Sequence, residues 1–212
     1  MVKRAVPRVG TDDEERGAVV TRFSRAGLIK GSLAVLGAVA GSAVGAEIAA
    51  SADSRGSPAT DHEILTFGLL IEQLQAAFYA AALQGGKLTG EARQFAQVVG
   101  AEEAAHVKYF VDALGPSAGT TPRFRFGDAA TDPAKFIATA VSLEEAGLGV
   151  YNGQAVNLTP KTLAAAARVV SVEARHAAWA RALAGKDPAP VAVDVPVSVS
   201  QAKQTFQPFI VP

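Results

Sequence analysis

Residues 101–114, AEEAAHVKYFVDAL, and residues 171–183, SVEARHAAWARAL, share one pattern: a Glu three residues ahead of a His. The pairs are Glu103 with His106 and Glu173 with His176. Residues three apart on a helix stand on one face, so each pair can aim two donor groups the same way. With 11 Glu and 3 His in 212 residues, about 0.16 such spacings are expected by chance. Two are present, and each has a partner upstream. Glu72 is followed seven residues on by Tyr79, and Glu144 seven residues on by Tyr151. Glu72 precedes Glu103 by 31 residues, and Glu144 precedes Glu173 by 29. The chain therefore repeats Glu, Tyr, Glu, His at nearly constant spacing. A repeat of this kind predicts two like halves facing one centre.

The segments around these residues read as four helices. Asp61 is a good N-cap, and an apolar pattern of period 3.6 follows it until Gly85-Gly86. A second helix is expected from about Thr89 to Leu114, closed by Gly115-Pro116. Residues 116–131, rich in Gly, Pro and Thr, form a long crossover. Asp132-Pro133 is a cap followed by Pro at the first helical position, and it opens a third helix reaching about 153–156. Thr159-Pro160 repeats that signal for a fourth, which ends near Ala184 before Gly185. Four helices with two short joins and one long one predict an all-α four-helix bundle over 61–185. Residues 186–212 contain five prolines and the alternating stretch VAVDVPVSV; they read as an extended tail lying on the bundle or on a partner.

The first 52 residues read differently. Residues 1–30 are polar and mixed in charge, and 31–46, GSLAVLGAVAGSAVGA, carry no charge. That run is short for a membrane span but has the form of a signal-peptide apolar region. Ala50-Ser51-Ala52 is an A-x-A cleavage site, and 53–60 are a linker. Ser24-Arg25-Ala26-Gly27-Leu28-Ile29-Lys30 resembles the twin-arginine export motif, with Ala26 in place of the second arginine. The expectation is export to the periplasm, envelope or medium, with no stable span after cleavage; an uncleaved segment would be a membrane anchor. Equal numbers of acidic and basic residues, 20 of each, remove the basic excess that nucleic-acid binding needs. Zero cysteines exclude disulfides, thiolate metal sites and thiol catalysis. The single methionine, Met1, excludes a methionine-ligated haem of the bacterioferritin kind.

Four carboxylates facing one another in an apolar core repel, and each would cost several kcal/mol to bury as an ion. Two divalent cations supply +4 against them, with two neutral imidazoles completing the shells. Carboxylate and imidazole without sulfur suit iron or manganese. The whole set resembles the ferritin-like di-iron or di-manganese carboxylate pattern. The wording of ILTFGLLIEQLQAAFY, AEEAAHVKYFVDAL, FRFGDAATDPAKFIATAVSLEEAGLGVYNGQA, SVEARHAAWARAL and DVPVSVSQAKQTFQPFI resembles the desiccation-related branch of the ferritin-like proteins, over about residues 60–212. That resemblance implies a ferritin-like bundle with Glu72, Glu103, His106, Glu144, Glu173 and His176 on the metal-ligand positions. It implies two Fe or Mn ions per chain and chemistry toward dioxygen or peroxide.

Neighbours compete for some positions. The repeat spacing to Tyr151 selects Glu144 over Glu145, and the three-residue rule selects Glu103 over Glu102. His62 and Glu63 read as surface residues at the start of the first helix. Tyr79 and Tyr151 lie two turns from their glutamates on the same face, where they could hold a ligand carboxylate, carry an electron, or simply pack the core. Trp179 is either a redox relay or a packing residue. The segment 147–153, GLGVYNG, has one residue too many for a dinucleotide loop and lies in a predicted helix. Two functions follow: an exported di-metal oxidoreductase, ferroxidase-like or manganese-catalase-like, or an envelope protein whose metals only staple the fold. A homodimer is the largest assembly the Pro-rich tail suggests.

Overall fold

A computed structural model describes residues 56–212. The export signal read over 1–52, and residues 53–55 of the linker, lie outside the described residues. The elements are α1 (Pro58–Gln84), α2 (Gly90–Leu114), β1 (Arg123–Phe124), α3 (Asp128–Thr131), α4 (Pro133–Gln154), α5 (Pro160–Leu183), α6 (Val199–Phe206) and β2 (Ile210–Val211). The four long helices begin and end within a few residues of the sequence reading. Three of them start on a cap followed by Pro: Ser57-Pro58, Asp132-Pro133 and Thr159-Pro160. The Asp132 carboxylate accepts from the Ala134 and Lys135 amides at 2.9 Å each.

Asp61 is not the cap of α1. That role falls to Ser57, whose hydroxyl accepts from the Thr60 amide at 3.1 Å. Asp61 lies buried in the first turn and serves the other end of the sequence. Its carboxylate accepts from the Thr159 amide at 2.8 Å and from the Thr159 and Thr162 hydroxyls at 2.5 Å. It thereby fixes the first turn of α5, where a negative charge also suits the helix dipole.

Short turns make α1–α2 and α4–α5 into two hairpins, and residues 115–132 cross between them. The core is apolar along α1 and α4, with Ile71, Leu74, Phe78, Phe136 and Leu143 fully buried. Each such side chain contributes roughly 1.5–3 kcal/mol by leaving water. Phe78 stacks on Phe136 with centroids 5.2 Å apart and meets Phe126 of the crossover edge-on at 5.4 Å. By length and composition α1 could cross a membrane. Its buried Glu72, Gln73 and Gln75 mark it instead as the core helix of a bundle.

The tail departs from the sequence reading. Residues 186–198 are without helix, but 199–206 form α6. Ser198 and Gln201 make a reciprocal capping box there, with Gln201 amide to Ser198 Oγ 3.2 Å and Ser198 amide to Gln201 Oε1 2.9 Å. Ala202 and Phe206 are buried against the bundle. Beyond α6, β2 pairs antiparallel with β1, Phe124 opposite Ile210, and so fastens the crossover. The tail is seated on α4 by glycine. The Val197 amide donates to the Gly149 carbonyl at 2.8 Å. A Cβ at Gly149 would stand 2.5 Å from Val197 Cγ2, and one at Gly153 would collide with the Val197 carbonyl. Gly149 and Gly153 of the GLGVYNG segment thus make a groove for the chain's own tail.

Candidate metal centre

Each of the four long helices brings one part of the site. α1 carries Glu72, α2 carries Glu103 and His106, α4 carries Glu144, and α5 carries Glu173 and His176. All four glutamates are completely buried, and His176 is 2% exposed. Their donor atoms form two overlapping sets, each with every atom within 4.8 Å of the others. One is Glu72, Glu103, His106 and Glu173; the other is Glu103, Glu144, Glu173 and His176. Glu103 and Glu173 belong to both. The Glu-x-x-His pairs therefore supply the shared carboxylates in the middle, while Glu72 and Glu144 close the two ends.

The tyrosines cross between the halves. The Tyr79 hydroxyl of α1 donates to Glu144 Oε1 of α4, and the Tyr151 hydroxyl of α4 donates to Glu72 Oε1 of α1. This reciprocal pairing requires α1 and α4 to run antiparallel. Gln75 Nε2 adds a second bond to Glu144 Oε1 at 3.0 Å. Tyr79 is held by Phe95 and Phe136, both edge-on, and Tyr151 stacks on Phe110.

The second oxygens of these carboxylates point to what is needed between them. Among the described residues, Glu72 Oε2, Glu144 Oε2 and both Glu173 oxygens are buried and accept no hydrogen bond. His106 Nδ1 stands 3.3 Å from Glu72 Oε2 and 3.0 Å from Glu173 Oε1, at angles that close no hydrogen bond with either. An unpaired buried carboxylate oxygen is expensive, and four of them spread over the two donor sets call for cations.

Protein groups alone leave the cluster overcharged. Burial, then the charges of neighbouring glutamates, push the Glu103 and Glu173 carboxyls well above the usual carboxylate range. Burial also raises Glu144, against the pull of His176, Tyr79 and Gln75. Glu72 goes the other way: burial raises it, but the close approach of Glu103, of a charged His106 and of the Tyr151 hydroxyl brings it below its ordinary value. Burial opposes a charge on His106, yet Glu103, Glu173 and Glu72 push its pKa up to about 12. Burial and the facing carboxylates raise both phenols well above 10.0, so Tyr79 and Tyr151 remain donors. A set of hard carboxylates with two imidazoles and no sulfur fits divalent iron or manganese.

All six residues singled out from the sequence meet in this cluster. The rivals do not: Glu145 pairs with Arg181 at 2.9 Å, and Glu102 sits half-exposed with its Oε2 2.5 Å from His176 Nε2. His62 is exposed on α1. Trp179 packs edge-on against Phe95 at 5.3 Å and donates its indole N–H to Glu91 at 3.0 Å. It reaches the cluster through rings, by Phe95 and then Tyr79. Sequence reasoning missed Gln75 as a partner of Glu144, and it set Glu102 aside as a failed ligand rather than a support for one. The apolar setting of Gln75, between Leu74 and Phe78, was the available signal.

A family model described as a ferritin-like domain matches residues 60–186. No curated protein matches the chain.

Proposed function

The chain belongs to the ferritin-like domain family, and from that premise we propose that it is an exported di-metal oxidoreductase. Its cofactor is two iron or manganese ions per chain, and its co-substrate is dioxygen or peroxide. The supporting observation is the convergence of four fully buried glutamates, three of which, Glu72, Glu144 and Glu173, keep oxygens that accept no hydrogen bond. Glu103 and Glu173 would be shared between the ions, Glu72 and His106 would complete one position, and Glu144 and His176 the other. Bound there, the ions would supply one-electron redox steps toward an oxygen species.

The chain's own residues set the conditions. Tyr79 and Tyr151 hold one oxygen of Glu144 and Glu72 and leave the other facing inward. The apolar side chains of Ile71, Leu74 and Leu143 keep bulk water from the carboxylates, which strengthens their hold on a cation. Tyr79, Phe95 and Trp179 form a line of touching rings from the cluster toward Glu91 near the start of α2. That line is a route for an electron, and Trp179 is the outermost redox candidate on it. Export rests on the signal-like segment over 1–52, and a protective role in oxidative or drying stress rests on the resemblance to the desiccation-related branch.

Elemental analysis of the full chain, purified without added metal or chelator, tests the proposal. Two Fe or Mn per chain, with catalytic consumption of peroxide or of Fe(II) and dioxygen, is the expected result. Bound metal that raises the melting temperature but turns nothing over would replace it with the stapled envelope protein. A folded chain without transition metal would overturn the di-metal reading.

A further inference from the structure

The two halves of the centre share their ligand types and differ in what stands behind them. His176 Nδ1 faces the cluster, 3.0 Å from Glu103 Oε1, and its Nε2 lies 2.5 Å from Glu102 Oε2. With the Nε2 proton donated to Glu102, Nδ1 would be free to serve a cation held among the carboxylates. A carboxylate behind a histidine fixes the tautomer and makes the ring a better donor to a metal. Glu144 is braced as well, by Tyr79 and by the 1%-exposed Gln75.

The other half lacks both devices. By the repeat, Val172 stands where Glu102 does, one residue before the shared glutamate, and a valine offers no acceptor. Gly147 stands where Gln75 does, three residues after the terminal glutamate. Gly147 lies beside the Gln75 amide, a Cβ there standing 3.4 Å from Gln75 Oε1, and offers no amide of its own to Glu72. The His106 side chain is 12% exposed, against 3% for His176.

We propose that Glu102 is a positioning residue that makes the Glu144–His176 half the tighter, first-filled ion position, and that the Glu72–His106 half is the exchangeable one. This rests on the di-metal reading above. Glu102 reaches the site from solvent, its side chain 48% exposed, so replacing it removes a brace without opening the core.

The test is a titration of the metal-free full chain with Co(II), followed by calorimetry and by visible absorption. Wild type is expected to bind in two events, with the tighter one lost in His176→Ala and kept in His106→Ala. Glu102→Ala is expected to weaken that tighter event about 10- to 100-fold, with total stoichiometry and melting temperature retained. The visible bands of the first equivalent should shift as well. Glu102→Gln keeps an acceptor oxygen without the charge and should recover part of the loss. Glu145→Ala, which removes a half-exposed glutamate outside the cluster, should leave both events in place. Two equal events, or a tighter event that survives both Glu102 variants or vanishes in His106→Ala, would overturn the grading while the di-metal reading stands. No Co(II) bound by wild type would overturn both.

Discussion

The α1–α2 hairpin and the α4–α5 hairpin carry the same four chemical positions and are held in place by different means. In the first, the two helices approach closely: a Cβ at Gly100 would lie 2.8 Å from Tyr79 Cβ, and one at Gly68 would lie 2.6 Å from the Phe110 ring. In the second, α4 carries the tail in its Gly149–Gly153 groove, and α5 takes its first-turn support from Asp61 of α1. Glu, Tyr, Glu and His recur because two ions need two like shells. The scaffold around them does not recur, because each hairpin has different neighbours to pack against. The repeated layer therefore governs metal, and the private layer governs stability.

Variants can break this division. The largest expected effect is in the shared glutamates. Glu103→Ala and Glu173→Ala should each empty both ion positions, whereas His106→Ala and His176→Ala should each cut metal content sharply by damaging one. His62→Ala, outside the cluster, should leave it unchanged. Elemental analysis reads all five, and equal metal in the three histidine variants would dissolve the assignment.

The next effect concerns protons. Glu103 and Glu173 are raised from 4.5, and His106 is raised from 6.5 to about 12. A folded state that binds more protons than the unfolded one loses stability as pH rises. Chelator-treated protein should therefore melt at progressively lower temperature as pH climbs above about 5, the unfolded carboxyls being ionised from there up. Loading with Fe(II) or Mn(II) should flatten that slope. A stripped protein whose melting temperature is indifferent to pH from 5 to 8 would mean that the carboxylates are satisfied by something other than a cation.

Two smaller effects belong to the private layer. Gly149→Leu forces Val197 off α4 and should cost about 1–3 kcal/mol in a urea melt, while metal content stays at the wild-type level. Asp61→Asn weakens the support of α5 and should cost about 1 kcal/mol, the usual worth of a helix-end side-chain bond. Burial raises the Asp61 carboxyl, but the bonds from Thr159 and Thr162 bring it below 3.8. Its contribution should therefore be present above that value and fade as pH falls through the folded pKa. Loss of metal in either variant would show that the two layers are not separate.

The same division explains what was legible in the sequence. The four long helices were readable because Pro after a cap, Gly after a run and a period of 3.6 are local signals. The six cluster residues were readable because they occur twice at one spacing; the repeat to Tyr151 singles out Glu144 from Glu145, and the three-residue step to His106 singles out Glu103 from Glu102. Gln75, Glu102 and Asp61 occur once, and each acts on a residue 69 or more positions away. A single unrepeated contact leaves no mark in periodicity. The tail helix is a different case: Ser198 and Gln201 spell a capping box, and the neighbouring prolines and alternating valines masked it. Ser57-Pro58 was likewise a start signal of the kind found at Asp132 and Thr159, passed over for the more acidic Asp61.

The crossed tyrosines have a consequence for which lengths of chain can change. Glu72 and Tyr79 on α1 meet Tyr151 and Glu144 on α4, so both helices must keep the same interval of seven residues. One residue inserted between Glu72 and Tyr79 would turn the phenol by about 100° about the helix axis and part it from Glu144. The same insertion on α4 would part Tyr151 from Glu72. An extra residue in the turn at 85–89 or in the crossover at 119–122 disturbs neither interval. Length variation in this molecule is therefore tolerable between the helices and intolerable within those two intervals, which act as a pair of matched rulers laid side by side in opposite directions.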